Sequence, residues 1–190
     1  VHYLLVHSLQ YPPGSQMDYN TGNTHLLSAI LTKVTGSDTW SFAQKALAAP
    51  LGITIPKWPQ DPQGIYFGGN DMLLTPRQMV KFGELYLRHG REAGRQIVPA
   101  SWVEASFMPH SQSQRSGKLY GYGWWIEEMA GQQTAFAWGF GGQYIFVIPS
   151  LDAVVVTTAS ENPSADRRDF RLGLFDMIEE KVIGAMAPSR

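Results

Sequence analysis

The chain has 190 residues, 44% hydrophobic and 16% charged, the balance of a globular fold long enough to bury a core, which argues against a disordered chain. A net charge of −1 gives no electrostatic case for nucleic acid or an anionic membrane as partner. With no cysteine, disulfides and thiolate chemistry are excluded, while a cytosolic and an exported setting both stay open.

Residues 1–6 are mostly apolar, but no basic region precedes them and no small-residue cleavage site follows. No apolar run reaches the length of a membrane span. The chain starts at Val1 rather than Met, and the expectation is that upstream sequence is missing. Residues 11–15, Tyr-Pro-Pro-Gly-Ser, form a turn-rich entry. The first helix is expected after Gly22, where Leu26, Leu27, Ile30, Leu31 and Val34 recur at helical spacing and Gly36 suits the position past the end. A second helix should start after Ser37 or Asp38, carry Trp40, Phe42, Ala43 and Leu47, and end at Pro50 and Gly52. Residues 53–70 hold Pro56, Pro59, Pro62 and three glycines, a long loop of the kind that often carries function.

Thr75-Pro76-Arg77-Gln78 reads as a helix start, with Thr75 capping, Pro76 in the first turn and Gln78 completing a capping box. Met79, Val80, Phe82, Leu85 and Tyr86 form its apolar stripe, and Gly90 ends it. A short helix near residues 100–107 presents Trp102, Val103 and Phe107, and the serine-rich residues 109–118 read as an exposed loop. Short β-prone runs follow at 120–126, 135–138, 144–148 and 153–158, with Pro149-Ser150-Leu151-Asp152 as the turn joining the last two. A final helix to about Ile183, capped by Ser164, should bury Phe170, Leu174, Phe175, Ile178 and Val182. Helices, antiparallel strands and a packing helix make an α+β order. The expected boundaries are a helical region over residues 1–118 and the strands with the last helix over 119–190, both parts of one incomplete catalytic domain.

Two segments carry the candidate residues for chemistry. In Met17-Asp18-Tyr19-Asn20-Thr21-Gly22-Asn23, the tyrosine sits among small polar residues on a tight turn rather than in an apolar stripe. A phenol titrates near about 10 and becomes a base only beside a cation. In Trp138-Gly139-Phe140-Gly141-Gly142-Gln143, the glycines read either as a strand entry or bulge, or as close backbone approach to a substrate, where an amide N–H meets a developing oxyanion. Tyr66, in the long loop, either lines a cleft or anchors the loop, and His25 caps or packs. The other histidines lack metal-ligand spacing. Glu127 and Glu128 are strand neighbours facing opposite ways, so they are no carboxylate pair. No Gly-x-Ser-x-Gly elbow is present, which argues against an α/β-hydrolase.

Together the two segments resemble the second and third active-site motifs of the penicillin-binding, β-lactamase-like serine hydrolases, closest to the class C β-lactamase-related group. The resemblance covers roughly residues 11–160 and includes Ala48-Ala49-Pro50-Leu51-Gly52-Ile53, Asp71-Met72-Leu73-Leu74-Thr75-Pro76, Gly94-Arg95-Gln96-Ile97-Val98-Pro99 and Tyr120-Gly121-Tyr122-Gly123-Trp124-Trp125. It implies a helical region packed on an antiparallel sheet, and acyl transfer on ester or amide substrates with no metal or organic cofactor. Tyr19 takes the place of the proton-relaying tyrosine, and the Gln143 amide that of an oxyanion donor. Thr21, Trp138, Phe140, Gly141 and Gly142 fall at substrate-binding positions, with Tyr66 as a further candidate. Thr21 stands where asparagine or serine is usual, and Phe140 where lysine or histidine is expected; Phe140 supplies no charge, which fits esterase-like or amidase-like substrates better than a β-lactam carboxylate. The family's first motif, Ser-x-x-Lys, is absent: three residues before each lysine stand Ile30, Phe42, Thr54, Gln78, Arg115 and Ile178. The nucleophile is therefore expected in an N-terminal part of the same domain, which becomes the expected partner. The rival reading is a non-catalytic binding or scaffolding protein on the same fold.

Overall fold

The computed structural model describes residues 1–160 and 166–186. The chain divides into two compact units, Val1–Thr75 with Ser113–Arg115, and Pro76–Gln112 with Ser116–Arg190.

In the first unit a short helix, α1 (His2–Val6), leads through an irregular segment to α2 (Thr21–Thr35). Asn20 caps α2 by accepting from the Gly22 amide at 2.7 Å, and Gly36 ends it at φ 67, its amide donating to the Thr32 carbonyl. The helix is where the periodicity predicts it, but its apolar stripe points outward: Leu27, Ile30 and Val34 are 62%, 56% and 78% exposed. The buried side is polar, His25 and Ser28. Both have partners in the long loop, so that face follows hydrogen bonding rather than hydropathy.

Asp38 caps α3 (Thr39–Ala43) through the Ser41 amide at 2.8 Å. The helix passes through a π-helical turn, Gln44–Ala48, into α4 (Ala49–Leu51), which ends at Gly52 in the left-handed region. The loop beyond has almost no backbone ladder, so side chains hold it. The Trp40 and Trp58 indoles donate to the Ile55 and Phe67 carbonyls, each at 2.8 Å. Ala48, Ile55, Trp58 and Tyr66 form the core beneath it. Ser113 bridges to Met17, and Arg115 lies 3.4 Å from Asp18, tying down the approach to Tyr19.

The second unit starts with α5 (Pro76–Leu87), a small hairpin of β1 (Arg91–Glu92) and β2 (Arg95–Gln96), and α6 (Ala100–Phe107). An antiparallel sheet follows in sequential order: β3 (Ser111–Gln112), β4 (Leu119–Tyr120), β5 (Trp125–Met129), β6 (Gln132–Gly139), β7 (Gln143–Ile148) and β8 (Ala153–Thr157). The last helix, α7 (Arg167–Met177), continues through a π-helical turn, Ile178–Ile183, into α8 (Gly184–Met186). Alternation along β6 and β7 gives the sheet two apolar faces. Ala135, Ile145 and Val147 pack with Trp124 against Met79, Phe82 and Tyr86 of α5. Phe136, Tyr144 and Phe146 pack against Phe175 of α7. Helix α5 comes so close that a Cβ on Gly83 would stand 2.5 Å from Val154.

Three strand-region expectations change. Residues 120–126 are not one strand: Gly123 at φ 81 and Gly121, where a Cβ would lie 2.0 Å from the Ser106 carbonyl, break the run between β4 and β5. The serine-rich loop contains β3, two polar residues that pairing alone makes a strand. The glycine run is the turn of the β6–β7 hairpin rather than a strand entry, closed by the Gly139–Gln143 pair. Phe170, expected buried, is 49% exposed. The expected cap Ser164 lies outside the described residues.

Candidate active site

In the first unit, Tyr19 immediately precedes the α2 cap and its ring is about half exposed. Partial burial raises its phenol above the ordinary value near 10, so at neutral pH Tyr19 is protonated and a hydrogen-bond donor, not a base. Thr21 is the first residue of α2, exposed, with its carbonyl accepting from the Thr24 hydroxyl at 2.8 Å. Gly68 and Gly69 bring the loop backbone onto this turn. A Cβ on Gly68 would stand 2.0 Å from the Thr24 carbonyl, and one on Gly69 would stand 2.3 Å from the Thr24 hydroxyl. Thr21 and His25 line an open, mostly apolar cavity of about 480 Å³.

The loop is fastened by side chains of α2 and of the loop itself, of which the sequence reading had left Ser28 and Asp61 unassigned. His25 Nε2 lies 3.0 Å from Asp61 Oδ2, and the Ser28 hydroxyl donates to the Tyr66 carbonyl at 2.7 Å. Tyr66 is itself 5% exposed and packs on Trp58 at 4.9 Å, the position of a loop anchor. Burial alone would raise the Asp61 carboxyl. Hydrogen bonds from the Ile65 amide, the His25 ring, the Val1 ammonium and the Gln63 amide outweigh it and hold Asp61 well below the usual carboxylate range. Folded Asp61 therefore binds its proton less readily than unfolded Asp61. Its contribution to stability is full above the unfolded pKa of about 3.9 and declines as pH falls below that toward the lowered folded value. Asp61→Asn should thus destabilise the chain at neutral pH, and the gap to the parent should narrow in acid. Urea melts of both proteins between about pH 7 and pH 2.5 check this; a gap that stays constant would contradict it.

In the second unit, Trp138 is the penultimate residue of β6, half-buried among Trp125 at 5.6 Å and Tyr144 at 5.9 Å. Phe140, at the tip of the turn, is 62% exposed. Gly141 and Gly142 have φ of 77 and 102, which an L side chain rarely adopts. A Cβ on Gly142 would also press on Phe170 at 3.0 Å and Ala159 at 3.2 Å. Gln143 opens β7. Its side chain donates to the Ala159 carbonyl at 2.6 Å and accepts from the Ala159 amide at 3.3 Å, extending the ladder past the end of β8. The Thr157 hydroxyl donates to the Gly142 carbonyl at 2.9 Å. The Gly142–Gln143 peptide is thereby held from both sides, a preorganised backbone of the kind an oxyanion donor needs.

The sequence reading missed the cations here. The Arg167 guanidinium sits 4.8 Å from the Phe140 ring centre and that of Arg171 sits 5.2 Å from Trp138. Burial pushes the Tyr144 phenol up to about 12, with the Arg171 charge pulling it down. The only hint in the sequence is the i, i+4 spacing of the two arginines on the last helix.

Known proteins show the same architecture. A Bacillus anthracis protein described as a 6-aminohexanoate-dimer hydrolase superposes with a TM-score of 0.71 at 23% identity, over 94% of this chain and 47% of that one. A β-lactamase from Mycobacterium bovis superposes with a TM-score of 0.70 at 18% identity, over 94% and 67%. The 6-aminohexanoate-dimer hydrolase of Paenarthrobacter ureafaciens is 25% identical over 170 residues, 80% of this chain and 41% of that protein. The chain thus spans less than half the length of either 6-aminohexanoate-dimer hydrolase. A family model described as Beta-lactamase matches residues 1–175. With both motif segments inside the matched span, the chain belongs to the β-lactamase family, on an α+β fold of antiparallel sheet and flanking helices.

Proposed function

We propose that the chain is the portion of a serine hydrolase that supplies the proton relay and one oxyanion donor for acyl transfer on ester or amide substrates. The nucleophile belongs to the portion of the relatives that this chain does not span. The observation that carries the reading is the Gly142–Gln143 turn, locked by Ala159 and Thr157 within the family's matched span. In the reaction, a serine oxygen adds to the substrate carbonyl and the Gln143 amide helps to hold the oxyanion. The carbon–leaving-group bond then breaks, and Tyr19 passes the serine's proton to the departing oxygen or nitrogen. Water reverses the sequence to free the acid. Tyr19 relays a proton only once a cation lowers its raised pKa, the part a Ser-x-x-Lys lysine plays.

The apolar stripe of α2 and the edge of β8, which among the described residues pairs only with β7, support an association with that remaining portion. Expressed alone, the chain should hydrolyse neither a p-nitrophenyl ester nor a chromogenic cephalosporin. Joined to the sequence encoded upstream, it should turn over the ester. Stable folding of the joined protein without turnover of any ester or amide would favour the binding-protein reading.

A further inference from the structure

The second unit holds a cavity of about 290 Å³ that the hydrolase reading does not use. Helices α5 and α6 and strands β5 and β6 wall it, contributing Leu87, Val103, Ile126 and Ala135 respectively. It lies toward the end of β6 away from the β6–β7 turn. Gln133, which lines it, and Gly139, where the turn begins, are six residues apart on β6, about 20 Å at the rise of a strand. The volume is at the small end of ligand pockets and suits one ring with a short chain.

The lining specifies a ligand class. Val103, Ile126 and Ala135 are buried, while Leu87 is half-buried and Met108 exposed, so an occupant covers apolar surface that now faces water. The rings of Tyr86 and Phe107, 5.7 Å apart, form an aromatic wall. Each also packs on Trp124, at 4.8 Å and 5.3 Å, which fixes both rings. Glu104 adds a carboxylate to the same cavity. It stands in the last turn of α6, where the negative end of the helix disfavours an anion, and no basic residue shares that turn. Among the described residues, no ion pair within 4.0 Å includes Glu104. Arg88, next to Leu87 in sequence, pairs with Glu84 and Glu92 instead. An unpaired carboxylate at a helix's negative end favours a cation, and aromatic faces attract an ammonium as well.

We propose that this cavity is a binding site for a small primary ammonium with an apolar body, Glu104 taking the charge and the Tyr86 and Phe107 rings the body. The site does not depend on the hydrolase reading.

The test titrates three probes of similar shape, 2-phenylethylammonium, neutral 2-phenylethanol and anionic 3-phenylpropanoate, followed by NMR of the backbone amides. It is run on the 190-residue chain and on the protein joined to its upstream sequence. In both, the ammonium should shift residues 103–108 and 133–135 and leave residues 139–143 in place. It should bind about fivefold more tightly than the alcohol, the upper end for an exposed ion pair, and the carboxylate more weakly than either. Glu104→Gln should erase the preference for the ammonium and leave the alcohol's affinity unchanged. Glu104→Lys should reverse it in favour of the carboxylate. Glu104 is exposed on its helix, so both variants keep the core intact. No binding of any probe, equal affinity for all three, or a preference that survives Glu104→Gln would overturn the proposal. So would shifts centred on residues 139–143, which would place the ligand at the candidate active site. Binding to the chain alone that vanishes in the joined protein would also overturn it, because the cavity would then be a seat for the upstream portion.

Discussion

Replacing Phe136 with alanine should cost about 3–5 kcal/mol of stability, the range for truncating a fully buried phenylalanine. The ring has no exposure and touches four others: Phe175 at 5.4 Å, Phe146 at 5.6 Å, Tyr144 at 6.2 Å and Trp138 at 6.4 Å. Those four are large and mutually packed, so they cannot close over the space a missing ring leaves. Domains of this size are stable by about 5–15 kcal/mol, so the loss is a large fraction of the total. Phe136→Leu keeps much of the volume and should cost clearly less. Denaturant melts followed by tryptophan fluorescence and by circular dichroism measure both. A loss below about 1 kcal/mol for the alanine variant would show that the sheet face under α7 is not a closed core.

The second large effect concerns chemistry. In the protein joined to its upstream sequence, Tyr19→Phe should lower kcat for ester hydrolysis by about 10²–10⁴, the usual contribution of a positioned proton-transfer group. The substitution removes only the hydroxyl. Tyr19 is half exposed, and the α2 cap beside it is made by Asn20, so the helix should form as before. KM should change little if the phenol acts in the transition state rather than in binding. The raised pKa in this chain gives a second reading of the same residue. On joining, a lysine beside Tyr19 should bring the phenol down, which ¹³C NMR of the tyrosine ring follows directly. Unchanged kcat in the phenylalanine variant would remove Tyr19 from the mechanism.

Local rules were enough for much of this fold. Gly36 and Gly52 end helices where glycine alone is comfortable, and Asp152 at φ 49 closes the turn begun at Pro149. What sequence patterns hid was set by partners far along the chain. The exposed face of α2 follows from His25 and Ser28, whose partners lie 36 and 38 residues away. The β3 strand exists because Gln112 and Ser111 pair with Leu119 and Tyr120, not because of β propensity. At the candidate site, Tyr19 and the glycine run were legible from their types and order. Gln143 was read for its backbone alone, since nothing local reveals that its side chain reaches Ala159. The arginines over Phe140 and Trp138 were invisible for the same reason: i, i+4 spacing names a helix face but not the surface it meets.

The most direct test of the account is to trap the acyl intermediate. The chain alone and the joined protein are each mixed with a p-nitrophenyl ester, quenched in acid and read by intact mass and peptide mapping. The account predicts one acyl group per joined protein, on a serine outside residues 1–190 that is followed three residues later by lysine, and no adduct on the chain alone. Stoichiometric acylation of any serine within residues 1–190 would contradict it, because the nucleophile would then lie in the chain itself.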